Sequence, residues 1–204
     1  MIITAINQVK RSSRYEVYAD DNLVGTLSAD MILTYRLHQG QQIDEETLAS
    51  LVEEAAKSDA WQMLLGWLAA KPYTIKMATD KLLEHGFGEQ ATQYALDKAI
   101  GYNYINDEEY AREMIDELNP KRSTRRIKQD LFARGISGDY VDELLTQNDE
   151  SQACKAALNR KLHGKPIESV GELKTMQSLA TQGYRYDVIR AVVAEYKEQI
   201  DESR

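Results

Sequence analysis

Between Arg14 and Leu27 the sequence RYEVYADDNLVGTL sets apolar Tyr15 and Val17 two positions apart, breaks at Ala19-Asp20-Asp21-Asn22, and resumes with Leu23, Val24 and Leu27. Alternation on either side of an acidic break predicts a β-hairpin. With IITAINQV ahead of it, a small three-stranded sheet is expected. Beyond Gly40 the period lengthens. The run IDEETLASLVEEAAKSD predicts a helix with clear start chemistry: Asp44 as N-cap, Glu45 and Glu46 in the first turn, and Ile43 placed to staple onto Leu48.

From about Ala55 the chain reads as helix throughout, and it repeats. KLLEHGF, DLFARGI and SLATQGY each end a helix on a glycine, at Gly86, Gly135 and Gly183, and place an apolar residue just after it. Four residues before each glycine stand Leu82, Leu131 and Leu179; one after it stand Phe87, Ile136 and Tyr184. A glycine just past a helix end supplies the left-handed turn that closes it, and the next apolar residue packs back. An earlier helix precedes each pair: Trp61 to Ala70, Asp107 to Leu118 and Ser151 to Leu162. In YINDEEYA, Asn106 is expected to cap with Glu109 at the third position, and Ile105 can staple to Tyr110.

The expected fold is therefore mainly α. Tandem three-helix repeats, about nine helices, form an elongated array behind an N-terminal hairpin or three-stranded sheet with its helix. The expected divisions are 1–54, 55–105, 106–150 and 151–204.

RRIKQDLFARGIS followed by GDYVDELL has the outline of a DNA-reading helix-turn-helix. The repeat argues otherwise, because Leu131, Gly135 and Ile136 have counterparts in the other two segments. The second helix would also offer Asp139, Asp142 and Glu143 to the DNA, where carboxylates repel phosphate. The first helix is different. With Ser123 as cap, Ile127 and Leu131 share one face, and Arg125, Arg126 and Gln129 fall largely opposite.

Charge sharpens this reading. The net charge of −8 argues against attraction to nucleic acid over the whole surface, yet residues 119–135 carry six bases and one acid. Residues 151–165 carry four bases and no acid. Two basic islands on an acidic chain suggest contact with an acidic partner; the alternative is a solvated helix face. The candidate contact residues are Lys121, Arg122, Arg125, Arg126, Lys128, Arg134, Lys155, Arg160 and Lys161.

Catalytic readings fail on context. GFGEQA, from Gly86, fits a loose dinucleotide-loop pattern, but a helix and not a strand precedes it. His38, His85 and His163 lack metal-ligand spacing, and neither a Walker loop nor a G-x-S-x-G is present. The single Cys154 excludes an internal disulfide and sits on an apolar stripe with Ala157 and Leu158, so it reads as a small buried hydrophobe. The carboxylate groups at Glu45-Glu46, Glu53-Glu54 and Asp107–Glu109 read as capping or solvation. Trp61 and Trp67 are expected to pack in the first helical segment. No catalytic residue, metal or cofactor is expected. The N-terminus lacks signal-peptide pattern and the longest apolar run, MLLGWLAA, is short of a membrane span, so a cytoplasmic chain is expected.

YINDEEYA, KRSTRRIKQDLFARGI and YVDELL, flanked by two weaker copies of the same unit, resemble the RecX family of bacterial regulatory proteins. The resemblance covers nearly the whole chain. RYEVYADDNLVGTLSAD and the acidic helix after it resemble the extension of some longer members. The resemblance implies a non-enzymatic regulator that binds RecA, lies along the groove of its filament on single-stranded DNA, and usually inhibits its ATPase and strand exchange; a monomer is expected. The basic islands would meet acidic RecA surface, DNA phosphates, or both. The alternative is a helical module that binds nucleic acid directly through those islands.

Overall fold

A computed structural model of the chain describes residues 1–10, 12–146 and 148–202. The residues form two compact units, Met1–Ile105 and Asn106–Arg204.

The first unit opens with β1 (Ile3–Gln8), β2 (Arg14–Ala19) and β3 (Asn22–Ser28), an antiparallel sheet in the order β1-β2-β3. Ala19 pairs with Asn22, so the turn is the two residues Asp20 and Asp21, both left-handed at φ 47° and 61°. Positive φ at both central residues is the turn geometry that follows the twist of a hairpin. The Asp20 carboxylate accepts from the Ile2 amide at 2.9 Å and ties the turn to β1. Helix α1 (Ala29–Thr34) follows, and then α2 (Glu45–Leu68). Asp44 caps α2 by accepting from the amides of Glu46 and Thr47.

Helix α2 is one continuous element of 24 residues, so the expected seam between residues 54 and 55 falls inside it. Its first half packs Leu48, Leu51 and Ala55 with Ile3, Val17 and Leu27 of the sheet. The second half packs Ala60, Trp61 and Leu64 with residues of α3 (Ile75–Glu84) and α4 (Glu89–Gly101). The sheet lies close on α2: a methyl on Gly25 would run into the Val52 side chain. An Arg14–Asp59 ion pair joins β2 to the same helix. Trp61 is nearly buried and stacks on Tyr104 with centroids 6.3 Å apart, while Trp67 lies 5.0 Å from the His85 ring.

The second unit holds α5 (Asp107–Leu118), α6 (Thr124–Ala133), α7 (Asp139–Thr146), α8 (Ser151–Leu162), the short α9 (Ile167–Val170), α10 (Glu172–Thr181) and α11 (Tyr186–Glu202). Asn106 caps α5 by accepting from the amides of Glu108 and Glu109. Its apolar residues gather into two clusters. One joins α5, α6 and α7 around Ile115, Ile127, Leu131, Ile136 and Val141. The other joins α8 to α11 around Leu158, Leu162, Ile167, Leu179 and Ile189. Between α8 and α10, Ile167, 1% exposed, turns inward and anchors the single helical turn of α9.

The three helix-ending glycines behave alike. Gly86, Gly135 and Gly183 have φ of 85°, 83° and 94°. The amide after each donates back to the leucine of the preceding turn: Phe87 to Leu82 at 3.2 Å, Ile136 to Leu131 at 3.0 Å, and Tyr184 to Leu179 at 3.3 Å. All three leucines are wholly buried. Among the described residues, no helix is long and apolar enough to cross a membrane.

Candidate functional site

The second unit carries a cleft of about 350 Å³ between the start of α6 and the turn that joins α10 to α11. Its walls are Lys121, Arg122, Arg125, Arg126 and Gln129 on one side, Thr181, Gln182, Gly183 and Tyr184 on the other, with Arg160 from the end of α8. Five of these side chains are cationic and none is acidic.

Backbone chemistry fixes the two walls together. Ser123, 2% exposed, caps α6 by accepting from the Arg126 amide, and its hydroxyl donates to the Gln182 carbonyl at 2.7 Å. Gly183 fits there because it has no side chain. A methyl on it would lie 2.9 Å from Ser123 Oγ and 3.1 Å from Arg125 Cβ. Behind the cleft sits Glu150, fully buried. One of its oxygens accepts from the Thr124 amide at 2.7 Å and the other from the Arg185 amide at 2.6 Å. Asn148 adds a bond to Thr124 Oγ1 at 3.0 Å. Tyr184 is buried and donates from its phenol to the Ala153 carbonyl at 3.1 Å; burial first, and then the neighbouring Cys154, pushes its ionisation up.

The charge runs against what the helix alone favours. The first turn of a helix is its positive end, where acids stabilise by about 0.3–1 kcal/mol each and bases do the opposite. Helix α2 has Glu45 and Glu46 there, and α5 has Asp107, Glu108 and Glu109. Helix α6 has no acid in its first turn and carries Arg125 and Arg126 instead. The helix dipole therefore gives no reason for these arginines: Arg126 is offset by Asp130 one turn on and Glu150 holds the Thr124 amide, while Arg125 adds its charge at the mouth of the cleft.

The nine sequence candidates divide by position. Lys121, Arg122, Arg125, Arg126 and Arg160 line the cleft and so unite members of both basic islands. Arg122 pairs with Asp130, and Arg126 approaches the same carboxylate at 3.8 Å. Lys121 reaches Glu117 at 3.3 Å across exposed surface. For Arg125 and Arg160 no carboxylate lies within ion-pair distance among the described residues. The other four do not line the cleft. Lys128 pairs with Asp142 of α7, and Arg134 donates to the Asp130 carbonyl at 2.9 Å. Lys155 pairs with Glu195 at 2.7 Å, and Lys161 lies at the end of α8. Gln129, Thr181, Gln182, Gly183, Tyr184 and the buried Glu150 belong to the site or its support, and no charge signal marked them in the sequence. The recurrence marked Gly183 and Tyr184, and helical phasing placed Gln129 beside Arg125 and Arg126.

Cys154 is buried, and that burial raises its thiol to about 11. Among the described residues no group of three or more His, Cys, Asp or Glu side chains is placed to hold a metal ion.

No family model matches the chain. Among curated relatives, the regulatory protein RecX of Caldanaerobacter subterraneus subsp. tengcongensis is 32% identical over 146 residues, 71% of this chain and 74% of that protein. The regulatory protein RecX of Clostridioides difficile is 28% identical over 203 residues, 94% of each chain. Among solved structures, a regulatory protein RecX matches with a TM-score of 0.66 at 25% identity, covering 94% of this chain and 98% of its own. RecX from Lactobacillus salivarius matches the fold with a TM-score of 0.59 at 22% identity over 72% of this chain.

Proposed function

The chain belongs to the RecX family of regulatory proteins, and on that premise we propose that it binds RecA and its filament on single-stranded DNA and inhibits RecA ATPase, strand exchange and filament growth. It does so as a monomer in the cytoplasm, by occupying a surface and without a chemical step of its own. The observation that supports this reading is the arginine-lined cleft: five cations converge on one concave surface of a chain whose net charge is −8. Charge concentrated on one face and repelled elsewhere orients a protein toward an anionic partner and suppresses unspecific contact. Arg125 and Arg160 make the contact, and Arg122, Arg126 and Lys121 enlarge the field around it.

The test is the single-stranded-DNA-dependent ATPase of RecA from the same organism, measured with this protein at increasing ratios. Inhibition is expected well below one molecule per RecA, since a protein seated on a filament affects more than one protomer. An unchanged rate at a molar excess would overturn the proposal and assign the cleft to another anionic partner.

A further inference from the structure

Phe132 is 72% exposed, among the most exposed large apolar side chains described. It stands on α6 three residues after Gln129 and seven after Arg125. Those spacings put Arg125, Gln129 and Phe132 on one face of the helix, opposite the buried Ile127 and Leu131. Along the axis, seven residues span about 10 Å. The face therefore runs from a guanidinium with no acidic partner among the described residues, through an amide at the rim of the cleft, to an exposed phenyl ring. Burial on the α6–α7 side is already complete without that ring, because Ile136, Val141 and Leu145 fill the cluster behind it.

We infer that this face is a subsite for single-stranded nucleic acid, with backbone phosphates in the arginine cleft and an unpaired base stacked on Phe132. The cleft is lined by planar guanidinium forks, which match phosphate or carboxylate oxygens in pairs and so call for an anion. Two features favour a nucleic-acid strand over an acidic polypeptide. The Phe132 ring on the same face of α6 is largely open to solvent, and every base has a π-face to lay on it. The charge and the ring are offset along one helix by the reach of a short stretch of strand, so both can be used at once. The Ser123–Gln182 bond holds the two walls of the cleft together, and a methyl on Gly183 would press on Ser123 and Arg125. The subsite rests on the reading of the cleft as the filament contact, and it names what part of the filament the cleft takes: the DNA.

The full chain alone, without RecA, tests this by fluorescence anisotropy with a labelled 12-nucleotide oligothymidylate and a 12-unit abasic strand. Wild type is expected to bind the base-bearing strand roughly 5- to 140-fold more tightly, the range of one base on one ring. Phe132→Ala should abolish that preference and leave abasic binding unchanged, while Phe132→Trp should keep it. Removing both Arg125 and Arg160 to Ala should weaken both strands and lower the salt dependence by about 1.4 in log–log slope, the release from two phosphates. Equal affinity of wild type for the two strands, or oligothymidylate binding unaffected by Phe132→Ala, would overturn the subsite. So would displacement by poly-glutamate of matched charge as effective as by unlabelled oligothymidylate, which would mark an acidic polypeptide as the ligand. Since RecA is absent, such a failure leaves ATPase inhibition untouched, and loss of inhibition leaves these affinities untouched.

Discussion

The carboxylate of Glu150 accepts the Arg185 amide at 2.6 Å, and in doing so links the loop after α7 to the start of α11. Its other oxygen holds the Thr124 amide at the start of α6. One fully buried side chain thus satisfies a donor at each of two helix beginnings, next to the cleft. Glu150→Gln replaces one acceptor with a donor that faces an N–H, and should cost about 1–3 kcal/mol. Urea denaturation should show a lower midpoint for Glu150→Gln and a still lower one for Glu150→Ala. Unchanged midpoints in both variants would remove Glu150 from this role.

Gly86 and Gly183 share a left-handed conformation but not a neighbourhood. A methyl on Gly86 meets nothing within 4 Å, whereas on Gly183 it meets Ser123 and Arg125. Gly86→Ala should cost about 1–2 kcal/mol for the backbone alone. Gly183→Ala should cost at least about 1 kcal/mol more, because a methyl is forced into a packed contact. Equal midpoints for the two variants would mean that the turn before α11 does not lie against α6.

Charge reversal should separate the cleft from the rest of the basic surface. Arg125→Glu and Arg160→Glu should each raise the concentration for half-inhibition of RecA ATPase by roughly tenfold, the loss of one charge-assisted contact. Arg122→Glu and Arg126→Glu should act in the same direction. Lys128→Glu, which only breaks an exposed pair with Asp142, should change it less than about twofold. Far-ultraviolet circular dichroism checks that each variant is folded. Full inhibition by a folded Arg125→Glu, Arg160→Glu double variant would exclude the cleft.

Leu131→Asp places a charge at a wholly buried position among Ile115, Ile127 and Val141. It should unfold the α5–α7 cluster, seen as loss of helical ellipticity, while Leu131→Ala should lower stability by about 2–5 kcal/mol without abolishing the fold. A native-like spectrum for Leu131→Asp would contradict the buried position.

Cys154 should resist a disulfide thiol reagent at pH 8 in the folded chain and react fully in denaturant. Because burial raises its folded thiol to about 11, the unfolded state gives up its proton first as pH rises from about 9. The stability that the neutral thiol contributes is intact below that pH and is lost as pH climbs toward about 11. A Cys154→Ala variant should show less of this alkaline decline. Rapid labelling at pH 8 under native conditions would refute the burial.

Much of this was legible because local chemistry and tertiary position agree. Asp20 and Asp21 mark the hairpin turn, Asp44 and Asn106 mark helix starts, and the three glycines mark helix ends, since each needs a conformation or a hydrogen bond that few residues supply. The continuity of α2 was not legible in this way. Nothing between residues 54 and 55 breaks a helix, and the seam expected there came from the repeat and not from a local stop. The cleft was legible only in halves: Arg125 and Arg160 are far apart in sequence, and their meeting depends on Gln182 and Gly183, whose part is played by backbone. Phe132 escaped notice because an aromatic residue beside Leu131 reads as core until its exposure is seen.

Helix α2 also bears on how such a chain can be cut and rejoined. Its first turns belong to the sheet and its last turns to α3 and α4, with no hinge between them. A splice at residue 54 would leave Ala60, Trp61 and Leu64 on a stump without its leading turns, and would strip Leu48 and Leu51 from whatever replaced the sheet. The N-terminal segment is therefore not a detachable cassette at that point. A workable breakpoint lies before Asp44, where a new cap can start the same helix, and a chimera joined there keeps the whole rod that the first helical cluster is built on.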